Sequence, residues 1–398
     1  MKKIYIFFLI FLINVNIEAK ITEDILIKDK TKLLKEKEEL LKKEYIINKY
    51  SWIKDVNIKA KYEKNNDNTE TQSIGMYIDQ PIFNGGNIIR GIKSAKLKKE
   101  IDILALNKEK KEYIYEILNN VLIIDKLYID LKTTKLKIQS NQIEYKKKLE
   151  LYKRGLLDIS FISILIIEKN NLENIEIDIK TKIKQQKMEL EKISNKTYEY
   201  IKNNFEYKKY TSKISLKELL ENSSLIMNKI EISLKEKEET INKYNLFPTV
   251  NIYANSEYQK IIKNNVETRK NMNNVGIKIN IPLSVNKVNQ YQKTKIDKLI
   301  KKTEWNLSKI NLEKFYNQKI IEISSMENKK MNLLNAINEY KKLIKNLEED
   351  EKIGLGIKSD IELLKKEKEI KENEIESYKN EVEQLYLEIH KQIIRDIK

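Results

Sequence analysis

Eight glycines and three prolines in 398 residues leave this chain few means of ending a helix. Their positions leave three long spans, 92–153, 157–247 and 283–353, with no breaker at all. Glycine and proline are the strongest local punctuators of structure, so these spans permit very long helices. Within the first, Ile117, Ile124, Leu131, Ile138, Tyr145 and Tyr152 recur every seven residues. Val121, Tyr128 and Leu149 fill a second seam that Lys135 and Gln142 interrupt. This is a coiled-coil stripe with polar gaps. A helix from 87 to 153 would be about 100 Å long, which suits an extended bundle better than a globular core.

The start of the chain reads as a secretory signal. Lys2 and Lys3 precede an apolar run from Ile4 to Val15, and Ile17-Glu18-Ala19 offers a cleavage site. Cleavage after Ala19 would leave a mature chain beginning at Lys20. The apolar run is shorter than the ~20 residues a membrane-spanning helix needs, and no later stretch is long and apolar enough. Any entry into a membrane therefore falls to strands. With no cysteine, disulfides, thiolate metal sites, a cysteine nucleophile and a lipidated N-terminus are excluded. The single histidine, His390, lies in a charged helical segment and is expected at the surface. The formal charge of +17 comes from lysines interleaved with glutamates, a pattern of solvated helix faces rather than of nucleic-acid binding.

Four segments alternate with period two and read as strands. They are 55–62 (Val56, Ile58, Ala60, Tyr62), 73–80 (Ile74, Met76, Ile78), 249–256 (Val250, Ile252, Ala254) and 275–281 (Val275, Ile277, Ile279, Ile281). The polar stretches Glu63 to Glu70 and Gln259 to Asn271 read as hairpin loops.

The pattern occurs twice. Asn48-Lys49-Tyr50 before Val56-Asn57-Ile58 matches Asn242-Lys243-Tyr244 before Val250-Asn251-Ile252, an offset of 194. Ile74-Gly75-Met76 with Pro81-Ile82 matches Val275-Gly276-Ile277 with Pro282-Leu283, an offset of 201 that also relates Gly155 to Gly356. The seven extra residues are assigned to the second hairpin loop. Residues 1–19 are thus a signal, 20–200 a first repeat and 201–398 a second of the same layout, both serving one protomer. Four strands with apolar faces and open edges cannot close a barrel alone, and lipid does not tolerate open edges. Three copies would supply 12 strands, enough for closure.

The sequence resembles the TolC-like outer-membrane efflux protein family over nearly all of the mature chain. Gln80-Pro81-Ile82-Phe83-Asn84-Gly85-Gly86 is similar to its strand-to-helix signature, and Leu246-Phe247-Pro248-Thr249-Val250 to its third-strand entry. Ile281-Pro282-Leu283, Tyr152-Lys153-Arg154-Gly155 and Gly356-Ile357-Lys358-Ser359 resemble its strand exit and paired helix turns. Pro81, Gly85, Gly86 and Pro282 mark the strand-to-helix junctions. The resemblance implies a mainly α, internally duplicated fold. Long antiparallel coiled-coil helices would form a periplasmic tunnel, and four strands would join a trimeric 12-stranded transmembrane β-barrel. It implies a homotrimer in outer-membrane lipid, a periplasmic adaptor, and an inner-membrane transporter or ABC ATPase of an efflux or type I secretion system. It implies no cofactor, no metal and no nucleic acid.

The family's periplasmic gate, carried over by position, falls on Glu362, with Asp360 and Asp158 as nearby acids. A second acidic tier would fall on Lys365, which departs from the pattern, and the first-repeat counterpart of Glu362 is Phe161. The resemblance places adaptor docking at Arg154, Gly155, Leu156, Gly356 and Ile357. A solvated glutamate beside Lys365 and Lys366, and glycines serving only tight turns, describe the same residues without function. A periplasmic adaptor or a secreted coiled-coil protein are the other classes with a signal and long helices; neither needs two matched hairpin-plus-helix halves. No nucleophile–base set or phosphate loop points to an enzyme.

Overall fold

The computed structural model describes residues 25–66, 69–204, 207–263, 266–282 and 284–395. The expected signal at 1–19, the mature start at Lys20 and the junction residue Leu283 lie outside these residues.

The described chain is mainly helical. Helix α1 (Lys28–Tyr50) leads to strands β1 (Asn57–Lys64) and β2 (Glu70–Phe83), then to α2 (Asn87–Lys153) and α3 (Ser160–Glu191). Two short helices, α4 (Tyr198–Asn204) and α5 (Leu216–Asn222), flank a 3-10 turn at Tyr207–Tyr210. Then α6 (Leu225–Tyr244), β3 (Thr249–Lys263), β4 (Val266–Asn280), α7 (Val285–Lys352) and α8 (Lys358–His390) repeat the order of the first half. At 67 and 68 residues, α2 and α7 are each about 100 Å long. No described helix is long and apolar enough to cross a membrane.

The chain forms two compact units. The first combines the described residues up to Leu34 with 107–223 and those from Asn311 on. Its helices run antiparallel, as successive contacts show: Tyr115 with His390, Asn380 with the Leu122 carbonyl, and Lys147 with Asp360. The heptad stripe on α2 is real but drifts. Ile117, Val121, Ile124 and Ile138 are buried, yet the second seam moves from Lys135 and Gln142 to Thr134 and Asn141. Near its middle α2 is enclosed more widely. Ile114, Tyr115, Leu118 and Leu122 pack with Leu387 and Tyr210. A neighbouring cluster joins Ile214 and Leu219 to Ile323, Ile389 and Ile393. The start of the second repeat therefore supplies core, and Ser215 and Glu218 form a capping box that starts α5.

His390 departs from the surface position expected of it. It is 6% exposed, and its Nε2 lies 2.8 Å from the Ser212 carbonyl oxygen. Its own carbonyl accepts the Tyr115 hydroxyl at 2.7 Å. The end of α8 is where the segment after α4 folds back, and one ring can satisfy a buried carbonyl there.

The second unit comprises 35–106 and 224–310. Its sheet is antiparallel in the order β1-β2-β3-β4, leaving β1 and β4 as edges. The strands are longer than the alternation alone marked. Residues 259–263 and 266–271, read as loop, are paired, with Lys263 facing Val266. The seven residues extra to the second hairpin thus lengthen its ladder. Both offsets agree with the register: Asn57 faces Tyr77 in the first hairpin, and their counterparts Asn251 and Lys278 face each other in the second.

Burial pushes the His390 imidazole below its ordinary value, so folding favours the neutral ring. The unfolded chain takes up this proton first as pH falls below about 6.5, and stability should decline there. Chemical denaturation of the solubilised protein between pH 7.5 and 5.5 checks this; His390→Gln should flatten the slope.

Candidate functional site

Two places concentrate unusual chemistry: the sheet of the second unit and the two helix turns of the first.

Along each strand one face is apolar and exposed. It carries Ile58, Ala60 and Tyr62 on β1, Ile74, Met76 and Ile78 on β2, Val250, Ile252 and Ala254 on β3, and Val275, Ile277 and Ile279 on β4. Val275 is 81% and Ile277 69% exposed, which water would not favour for a finished surface. The other face bears Lys59, Lys61, Ser73, Asp79, Asn251, Asn255, Glu257 and Lys278. Tyr77 and Ser73 donate their hydroxyls to Glu257, and Asn251 donates to Asp79.

The apolar stretch shifts from strand to strand. Ala60 centres it on β1, and its row runs through Ile74 and Tyr258 to Asn271. On the next strands the centre lies at Met76, Ile252 and Ile277, which are two, six and six residues from that row, an average of two per strand boundary. An average slip of two residues, about 6.6 Å, over a strand spacing of ~4.8 Å makes the band level when strands tilt by roughly 54°. That is steeper than the ~35–45° of strands in closed membrane barrels. β2, β3 and β4, with 14, 15 and 15 residues, exceed the ~9–11 needed to span.

The junction after β2 is tightly held. Pro81, without an N–H, lies at a break in the ladder between Pro81 and Phe83. Gly85 and Gly86 follow with positive φ, and the Asn84 carboxamide oxygen accepts from Ile88 N–H at 2.9 Å. Arg90 donates to the Gly85 carbonyl at 2.5 Å and stacks on the Tyr244 ring. Pro282 ends β4 with no such double glycine.

At the helix turns the structure revises one pairing. Gly155 has φ +71°, with its N–H on the Tyr152 carbonyl and that of Leu156 on Leu151. The same two bonds recur at Gly354 (φ +82°) to Glu351 and from Leu355 to Asp350. This is one helix-ending motif used twice. The counterpart of Gly155 is therefore Gly354, not Gly356, and Glu362 no longer aligns with Phe161. Gly356 is small for another reason: a Cβ there would lie 2.5 Å from the Glu351 nitrogen.

The expected acids are engaged separately. The Ser160 hydroxyl and then its N–H, which donates to Asp158 at 2.8 Å, hold the Asp158 carboxyl below the usual range. Asp360 is bonded to Lys147 at 2.5 Å. Glu362 is exposed, and Lys365, where a second acid was looked for, is paired with Glu348 at 2.7 Å and raised by it. Among the described residues no three His, Asp or Glu side chains gather as a metal-binding group. Arg154, Gly155, Leu156 and Ile357 are exposed. Sequence reasoning missed Ile353, Leu355 (78% exposed) and Ile159, which join Leu156 in making both turns apolar. Apolar residues flanking glycines in a charged stretch were the available signal; Lys147 as the partner of Asp360 had none.

No protein-family model matches the sequence, and no curated protein does. Solved structures do. The outer membrane protein VceC of Vibrio cholerae superposes with a TM-score of 0.70 at 11% identity, covering 92% of each chain. This is the TolC-like channel fold. The outer-membrane channel CmeC of Campylobacter jejuni shares it at 0.67 and 11%, over 96% of this chain and 87% of that one. The open state of the MtrE outer membrane channel of Neisseria gonorrhoeae gives 0.61 at 10%, over 94% and 88%. The resemblance read from the motifs and the fold agree.

Ala at position 155 or 354 would have to adopt a left-handed backbone, at about 1–2 kcal/mol each. Gly155→Ala and Gly354→Ala should accelerate amide exchange at Leu156 and Leu355, respectively. Gly356→Ala should disturb the second turn through a clash with the Glu351 backbone instead.

Proposed function

We propose that this chain is one protomer of a homotrimeric outer-membrane channel, part of a tripartite efflux or type I secretion system. Three four-stranded sheets close into one 12-stranded barrel in outer-membrane lipid, and the long helices form the conduit on the periplasmic side. Substrate passes passively from an inner-membrane transporter or ABC ATPase and its periplasmic adaptor to the exterior. No chemical step is assigned to the chain.

The observation that carries this reading is the sheet: two unpaired edges, one polar face and one apolar band that slants by six residues over three strand boundaries. An unpaired backbone group costs several kcal/mol in lipid, so a sheet with a lipid-facing surface has to close. The polar face then lines water. The TolC-like fold, shared with proteins described as outer-membrane channels, supports the same reading.

At the helix turns we assign the periplasmic entrance to Glu362, with Asp360 and Asp158 beside it. Adaptor contact is assigned to Arg154, Gly155, Leu156, Gly356 and Ile357. Three symmetry-related Glu362 carboxylates would repel one another and attract cations. Asp360 is already neutralised by Lys147, and Lys365 by Glu348. Glu362 is therefore the acid on which a cation-binding ring depends.

Expressed with its leader, the protein should fractionate with the outer membrane as heat-modifiable trimers and conduct ions in planar bilayers. A stable monomer in detergent-free buffer refutes the assignment. Glu362→Gln should weaken block of the single-channel current by divalent cations; unchanged block removes Glu362 from the gate.

A further inference from the structure

The duplication that relates the two hairpins also specifies how an open β4 edge should meet an open β1 edge. In the ladder between β2 and β3, Met76 faces Ser256, Gly75 faces Glu257 and Ile74 faces Tyr258. Residues of β2 have counterparts in β4 201 positions later, and residues of β3 have counterparts in β1 194 positions earlier. Applied to this ladder, the two offsets set Ile277 opposite Tyr62, and Gly276 opposite Glu63, of another copy. We propose that β4 of each copy pairs antiparallel with β1 of the next in this register, and that the partner's Glu63 binds Lys278 across the seam. The proposal rests on the trimeric channel reading and adds its residue-level join.

Three observations independent of the offsets agree with it. The first is the side-chain face. In this register Ile277, Ile279 and Ile281 lie opposite the partner's Tyr62, Ala60 and Ile58, so the exposed apolar face continues across the seam. A slip of one residue would set Ile277 against lysine or glutamate and turn one strand inside out.

The second is the slant. The apolar centre of β4 is Ile277, and the partner's β1 has its centre at Ala60, two residues from the partner's Tyr62. The shift has the same sense as the slip inside the copy and equals its average of two residues per strand boundary. The row Asn57–Tyr77–Asn255–Asn274 then meets the partner's Asn65, a stagger of eight residues per copy.

The third is charge. Within one copy Glu257 faces Gly75, and its carboxylate takes hydroxyls from Tyr77 and Ser73, the residues two places either side of that glycine. The partner's Glu63 would face Gly276, flanked in the same way by Lys278 and Asn274. A carboxylate that finds two hydroxyls inside the copy finds an ammonium at the seam. The need is specific, because the register also sets Lys278 opposite the partner's Lys61. In one copy Glu63 already contacts Lys61, and from the seam it lies between the two ammonium groups. Like charges directly opposite are destabilising on a sheet, and the carboxylate offsets them.

The chain has no cysteine, so the register can be read by crosslinking in the full-length protein. Ala60→Cys with Ile279→Cys, and separately Lys61→Cys with Lys278→Cys, place thiols directly opposite across the seam. Oxidation in outer membranes should give covalent dimers and trimers from at least one pair. Ile58→Cys with Ile279→Cys and Tyr62→Cys with Ile279→Cys are off by two residues, about 7–8 Å on the diagonal, and should give none. Glu63→Lys should lower the temperature at which trimers dissociate in SDS, Lys278→Glu should do the same, and the double exchange should recover much of the loss. Crosslinks at an off-register pair, or none at both in-register pairs while trimers persist, overturn the register alone. Absence of membrane trimers from the unaltered protein overturns the channel reading with it.

Discussion

Backbone hydrogen bonding at the two edges of a four-stranded sheet is the constraint on which the rest of this structure depends. β1 and β4 each present a row of N–H and C=O groups beside an exposed apolar band. In water the band is unfavourable, and in lipid the edges are. Only an arrangement that pairs the edges and leaves the band in lipid satisfies both. The duplicated hairpins make this attainable by symmetry, since two pairing rules, one inside a hairpin and one between hairpins, can serve every strand boundary.

The helical part answers a different requirement. Helices of 67 and 68 residues cannot fold onto a single globular core, so their burial is distributed. Around the middle of α2, the start of the second repeat adds Tyr210, Ile214 and Leu219, giving local cores where Leu118, Leu122 and Ile323 are nearly inaccessible. Elsewhere the helices are held by sparse contacts and ion pairs, such as Lys126 with Glu381 and Lys147 with Asp360. Exposed pairs of this kind contribute little individually. Such a bundle keeps substantial apolar surface exposed, including Leu156, Ile159, Ile353 and Leu355 at the turns.

Much of this was legible from residue patterns. Period-two alternation located all four strands, and breaker-free spans located α2 and α7, because both signals are local. The strand ends were not legible: in 259–271 polar side chains such as Lys260 and Arg269 belong to the ladder, and pairing depends on the partner backbone, not on polarity. The match of Gly155 to Gly356 failed for a related reason. Equal spacing cannot distinguish a glycine required by positive φ, as at Gly354, from one required by a close backbone contact, as at Gly356. His390 was misplaced because burial of a lone polar ring depends on a carbonyl 178 residues away.

Repetition in the sequence by itself determined that this protein has two equivalent hairpins with long helices, because glycines, prolines and alternating residues recur in the same order at fixed offsets. Tertiary structure alone decided which strand lies beside which, how far the apolar band slips between them, and which charges meet, as Asp360 does Lys147. These are relations between segments distant in sequence, and they depend on distances in space that composition and periodicity do not encode.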